Sequence, residues 1–208
     1  NGTQGFQPIN INAVAEESVA STSVAISGTL DARANLIDLP VFDTANPVSA
    51  AGAVGSTTTY AQLSAAAEFS TVVRIFDSLG APHNVTFFFF RNDNGNYTAR
   101  GYVNSEDVDP TGTATGLPRF IGQVEMDFNS SGLRTDAPLP GAQDFIANIP
   151  WSNGSNVSNL RVSFDPMTQF AASSSIASIS QDGKGIGAVT SINVDNDGKI
   201  FALLDNGQ

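Results

Sequence analysis

Cysteine is absent from this chain. Disulfides, thiolate nucleophiles and Cys-ligated metals are excluded with it. Charge is scarce as well: Asp, Glu, Lys and Arg make up 14% of 208 residues, and only nine are basic. Those nine lie scattered from Arg33 to Lys199, with no cluster to displace counterions from a nucleic acid. The net charge of −11 also sets the chain against an anionic membrane surface. That acidity reads as colloidal repulsion that keeps a β-rich protein in solution. No apolar run approaches the ~20 residues of a membrane span; the longest, Val85 to Phe90, is strand-sized. No secretory leader pattern is seen, because Asn1-Gly2-Thr3 runs into mixed polar sequence. Long helical periodicities are missing too.

What is present is 41% hydrophobic residues set among Ser, Thr, Asn and Gly, a mixture suited to many short strands and turns. Period-two alternation marks strands at Ile9–Val14 and at Ser21–Leu30, where Val24, Ile26 and Leu30 share a face. Residues 34–67 are irregular and broken by Pro40, Pro47, Gly52 and Gly55, with one or two helical turns expected over Tyr60–Ala67. The strongest β signal follows: Val72–Phe76, a turn at Asp77-Ser78-Leu79-Gly80, Asn84–Phe90, a turn at Asn92–Asn96, then Tyr97–Val103. This predicts a meander of three antiparallel strands. Four consecutive phenylalanines, Phe87 to Phe90, fall on both faces of the middle strand, which is therefore expected to be central and covered on both sides. Residues 105–118 read as a polar loop. Further strands are expected at Arg119–Phe128 and Leu160–Phe164, with a short apolar piece at Phe145–Ile149. Asp165 through Ser175 reads as an irregular connection. The final stretch, Ile176–Gln208, holds a Gly-rich turn over Asp182–Gly187 and a hairpin of Val189–Val194 and Ile200–Leu204 reversing at Asp195–Gly198. It closes on another turn signal, Asp205-Asn206-Gly207, which predicts that the molecule continues.

No arrangement of residues for catalysis stands out. His83, the single histidine, sits in Ala81-Pro82-His83-Asn84 at the start of a strand and reads as a turn residue, since no serine lies in a Gly-x-Ser-x-Gly elbow. Glu68, Glu106 and Glu125 are candidates for paired carboxylates, but nothing in their spacing sets two across a sugar. Only Trp151, Tyr60, Tyr97 and Tyr102 offer polar-tipped rings for a sugar platform. Asn193-x-Asp195-x-Asp197-Gly198 overlaps half of a calcium loop, yet its twelfth position is Leu204 and no helices flank it. Gly183-x-Gly185-x-Gly187 precedes β pattern, where a phosphate loop needs a helix. Asn84-Val85-Thr86 and Asn156-Val157-Ser158 are glycosylation triplets only in a glycosylating host. No catalytic, cofactor-binding or metal residues and no cofactor are therefore assigned.

Three segments carry a resemblance. Thr71–Gly80 with His83, Val85-Thr86-Phe87 and Phe89 resembles a "strand, Asp-Ser-x-Gly, His, strand" segment of the bacterial flagellar hook protein family. Ser180-Gln181-Asp182-Gly183 through Gly187, then Ile192–Ile200 and Asn206-Gly207-Gln208, is similar to that family's returning segment. Ser21–Ala32 is similar to its strand ending in a Leu-Asp-Ala step. The resemblance implies a structural, non-enzymatic subunit of the curved tube that transmits torque from motor to filament. It further implies export through the flagellar apparatus to the cell exterior, and as partners other copies of itself, rod proteins and hook–filament junction proteins. The family's terminal helices, which polymerise, are not in this sequence, so the piece is expected to be monomeric alone. Lys184 stands where the family has Tyr after Gly, and the lack of Cys rules out a Cys-based crosslink between subunits.

The expected fold is all-β with two domains. Residues 1–33 and 176–208 would form a discontinuous inner domain, and 34–175 an inserted β-barrel or sandwich, linked through Asp31–Leu36 and Ser173–Ser178. Two alternatives stand beside the hook reading: a distal rod subunit of the same axial family, and a carbohydrate-binding or hydrolase β-sandwich of an exported protein.

Overall fold

A computed structural model describes residues 18–36, 58–93, 95–109, 116–138, 142–187, 189–195, 197 and 200–204. The chain is mostly strand. After β1 (Ser23–Asp31) and a short helix α1 (Tyr60–Ala66) comes a meander of β2 (Phe69–Phe76), β3 (Pro82–Asp93), β4 (Asn96–Asn104) and β5 (Pro118–Asp127). These four form one antiparallel sheet in the order β2-β3-β4-β5. The three-stranded meander read from the sequence is thus extended by β5.

The phenylalanine run decides how β3 is covered. Phe87 and Phe89 point into the main core with Val73, Ile75, Val85, Ala99 and Met126. Phe88 and Phe90 point the other way, into a second cluster with Leu63 and Tyr102. Leu63 comes from α1, which lies over this outer face. A seven-residue helix is marginal on its own. Here Thr59 caps it, its hydroxyl accepting from the Gln62 N–H while the Gln62 side chain accepts from the Thr59 N–H, a reciprocal arrangement that satisfies two orphan donors.

The second sheet holds β6 (Phe145–Ile149), β7 (Ser158–Ser163), β1, β8 (Met167–Phe170) and β9 (Ser175–Gln181). Its centre is β1. One edge of β1 pairs in parallel with β7 at Ser23–Ala25 and with β8 at Gly28–Asp31, and the other pairs antiparallel with β9. Val24, Ile26 and Leu30 are buried, as the alternation predicts. Gly28 is required where β9 passes, since a Cβ there would lie 2.3 Å from the Ser175 carbonyl oxygen. The two sheets share one core, in which Phe164 meets Phe87 and Phe89 edge-on at 5.4 and 5.6 Å. They also touch along both margins, β5 against β6 and β2 against β9, which closes a flattened barrel.

Several expectations need correction. The segment 165–175 is not wholly irregular: β8 lies within it, with Met167 and Gln169 buried and Thr168 and Phe170 not. Four residues are too few for alternation to register. The segment 105–118, read as loop, starts with a four-residue helix, α2 (Ser105–Val108). β9, unnoticed in the sequence, is exposed along most of its length, so its pattern carries little hydrophobic signal. β1 and β9 share one sheet with β6, β7 and β8. The hairpin of β10 (Val189–Val194) and β11 (Ile200–Leu204) forms as read, and among the described residues it pairs only with itself. The strand expected at Ile9–Val14 and the turn at Asp205–Gly207 lie outside the described residues.

Candidate functional site

The chain enters the barrel along Ser18–Ser23 and leaves it along Gln181–Gly187, and both segments are fastened to the turn between β2 and β3. The turn is built by its aspartate. Asp77 Oδ1 accepts from the N–H groups of Leu79 (2.8 Å) and Ala81 (2.9 Å), the self-bonding that makes Asp a turn former. Asp77 Oδ2 accepts from Asn153 Nδ2 at 2.5 Å and lies 3.0 Å from His83 Nε2. The carboxylate is fully buried. His83 stacks on Trp151 with centroids 3.9 Å apart and planes 11° from parallel, and Trp151 Nε1 donates to Ser158 Oγ at 2.8 Å. The His83 Nδ1 faces Asp107 Oδ2 at 3.6 Å. Asn156 N–H donates to Ser78 Oγ at 2.8 Å, so the loop between β6 and β7 wraps the turn.

The entering and leaving segments add a second layer. Ser21 N–H donates to the Phe76 carbonyl (2.8 Å), and Ser21 Oγ accepts from Phe76 N–H (2.9 Å) while donating to Gln181 Oε1 (2.7 Å). Gln181 folds onto Gly183, taking its N–H and bonding its carbonyl. Asp182 accepts from the N–H groups of Thr22 and Ser23 and from the Thr22 hydroxyl. Val19 and Lys184 exchange two backbone bonds at 3.0 and 2.7 Å, and Ser18 Oγ donates to the Ser78 carbonyl at 3.3 Å. Gly183 has to be glycine, because a Cβ would sit 2.2 Å from Ser21 Oγ and 2.7 Å from its backbone nitrogen. The result is a latch at one end of the barrel, with three stretches far apart in sequence held by side chains with little freedom to choose other partners.

The electrostatics follow from the donors. Burial pushes the Asp77 carboxyl up, but His83, Asn153 and the N–H groups of Ala81 and Leu79 outweigh it and bring the value from 3.8 down to about 2. Asp182 is likewise raised by burial and lowered further by Thr22 and Ser23. A carboxylate held low in the folded state contributes stability above its unfolded value, lost as the pH falls through the folded one. The Asp77 contribution, about 2 kcal/mol, is therefore complete above pH ~4 and disappears toward pH ~2. Thermal unfolding followed from neutral pH down through that window checks this, and Asp77→Asn is expected to flatten that part of the profile.

A hydrolytic relay needs one imidazole nitrogen aimed at a nucleophile, whereas both nitrogens of His83 face carboxylates. The pair braces the fold. Glu68 lies in the bend between α1 and β2, Glu106 on α2 and Glu125 on β5; Glu68 accepts from Ser174 Oγ and Glu106 from the Gly116 N–H. Trp151, Tyr97 and Tyr102 are buried and present no ring face to a sugar. Asp195 accepts from the Asp197 N–H at 2.9 Å as a turn residue does. Sequence reasoning put His83 in a turn but missed what it touches, along with Asp107, Trp151 and Asn153. The one signal for the latch was the resemblance, whose motifs Ser21–Ser23, Asp77–His83 and Gln181–Gly183 are the segments the fold brings together.

A family model described as the flagellar basal body protein FlaE D2 domain matches residues 29–184. The chain belongs to this family. The matched span runs from the end of β1, through the meander and β6 to β9, to the Lys184 side of the latch. Among solved structures, the flagellar hook protein FlgE2 of Helicobacter pylori is similar, with 12% identity over 93% of this chain and a TM-score of 0.52. The chain covers 66% of that protein, just under two thirds of its length. A 32 kDa fragment of the hook protein FlgE from Caulobacter crescentus aligns over 64% of this chain and 58% of its own, at 15% identity and a TM-score of 0.44. No curated protein sequence matches this chain. At these identities the Helicobacter likeness is one of fold, and that fold is all-β as the strand patterns predicted. The family ties the chain to the flagellum.

Proposed function

We propose that this chain is the central part of a flagellar hook subunit, a structural element of the curved tube that couples motor to filament. The match of the D2 family model to residues 29–184 carries the reading. The latch fits it, since an inserted domain must be fixed where the chain enters and leaves. On this reading, the described barrel from about residue 18 to 187 is one domain, and the β10–β11 hairpin belongs to an inner one. Its partners are further copies of itself, rod proteins and hook–filament junction proteins, and it works outside the cell after passing through the flagellar export apparatus. Contacts between barrels that slide as the tube bends suit a polar surface low in charge better than an apolar one.

The distal rod alternative would carry a much smaller insertion. The carbohydrate alternative is not favoured: of its four candidate rings, Trp151, Tyr97 and Tyr102 are buried and Tyr60 is half-buried. Antibodies raised against the 208-residue chain and viewed by electron microscopy on purified hook–basal bodies should decorate the curved hook. Labelling confined to the rod or filament overturns the proposal. The chain alone should sediment as a monomer.

A further inference from the structure

The sequence has one histidine and one tryptophan, and the fold stacks one on the other. The two nitrogens of His83 make different demands. Nε2, 3.0 Å from Asp77 Oδ2, is satisfied by a neutral imidazole carrying its proton there, and equally by an imidazolium. Nδ1 faces Asp107 Oδ2 at 3.6 Å. In the neutral ring that nitrogen is a lone pair turned toward a carboxylate, a repulsive contact; in the imidazolium it is a donor to an anion. The bond to Asp77 therefore survives loss of the proton, and the attraction to Asp107 does not.

Asp107 is part of α2. Its bonds to the rest include Ser152 N–H to the Asp107 carbonyl (2.7 Å), Ser152 Oγ to the Glu106 carbonyl (3.1 Å) and Ser105 N–H to the Leu117 carbonyl (2.9 Å). Among the described residues, the titratable groups paired with the imidazole are Asp77 from the β2–β3 turn and Asp107 from α2. The 151–157 loop contributes only Trp151 and the neutral Asn153. The hydroxyl of Tyr60 from α1 is pushed up by burial and then by the Asp107 charge, so it stays neutral. The Glu106 carboxylate is turned away to Gly116.

We propose that His83 is a proton-operated clamp: charged, it bridges the base turn to the Asp107 carboxylate of α2; neutral, it keeps the turn and gives up that tie. The clamp rests on the latch geometry and not on which assembly the protein enters, so it stands or falls independently of the hook reading.

The stack supplies its own reporter, because an imidazolium quenches a stacked indole. Trp151 emission of the full chain should rise as the pH is taken from about 5 to about 8, and the rise should be absent in His83→Gln. Asp107→Asn should lower the melting temperature by about 2–4 °C at pH ~5 and leave it unchanged or raised at pH ~8. In the double variant with His83→Gln the two measurements should agree with His83→Gln alone. Should His83→Gln fail to fold, the pH dependence of the Asp107→Asn effect decides by itself. An Asp107→Asn cost equal at both pH values, or a flat wild-type emission profile, overturns the proposal.

Discussion

Asp77→Ala is expected to destabilise the protein by about 3–5 kcal/mol, the range for removing one partner of a buried, charged network. The substitution leaves the Leu79 and Ala81 N–H groups, His83 Nε2 and Asn153 Nδ2 without their acceptor. None of these can turn to water without opening the turn, because the carboxylate they share is fully buried. Asp77→Asn should cost less, about 2 kcal/mol. Its carbonyl oxygen can keep the two backbone donors on the Oδ1 side while its amide faces His83 and Asn153 donor to donor. Urea unfolding should show the midpoint falling with the slope unchanged. A loss below about 1 kcal/mol for the alanine variant would mean the latch does not hold the turn. Asp31 is the contrast. Its carboxyl is also low, at about 2, owing to hydrogen bonds from Arg33, but Arg33 is largely exposed, and such surface pairs contribute little.

The second large effect is expected at Phe89→Ala, at about 3–5 kcal/mol. Phe89 is fully buried, meets Phe164 edge-on at 5.6 Å and packs on Phe69 at 6.0 Å. It thus joins the meander to the second sheet, and truncation opens a cavity between two rigid layers. Val72→Ala on the neighbouring β2 serves as the control: Val72 is 54% exposed, and its loss should stay within about 0.5 kcal/mol. Chemical denaturation of both variants tests the pair. Equal effects at the two positions would contradict a core centred on β3.

Much of this architecture could be read from residue patterns, and the failures have identifiable causes. Four successive phenylalanines forced β3 to be central and covered twice, and the structure supplies both covers. The Tyr60–Ala67 segment was visible as helix from its alanines, while the Thr59–Gln62 cap that supports it emerged only in the structure. β8 was not visible, because a strand of four residues with two inward side chains looks like loop. β9 was hidden because its ladder to β1 is a backbone matter and its side chains are mostly exposed. The membership of β1 in a sheet with β7 and β8 depends on parallel pairing across more than a hundred residues of sequence, and local patterns hold no record of that. The latch lay between these cases. Gly183 and the Asp77 turn were read as turn signals, but alternation says nothing about which turn receives which strand. His83 read as a bland turn residue because its carboxylate and indole neighbours come from three separate segments.

The barrel hangs from two strands that begin and end side by side. β1 runs away from the latch and β9 returns to it, paired antiparallel from Val24↔Gln181 to Thr29↔Ser175. When both ends are drawn the same way, neither strand slides against the other, and the tension passes through β1 into its ladders with β7 and β8, all stretched at once. When the ends are pulled apart, the bonds open singly, beginning at Val19 and Lys184. The barrel is therefore expected to be mechanically anisotropic: stiff to a common pull along its stem, and soft to splaying of the two stem strands.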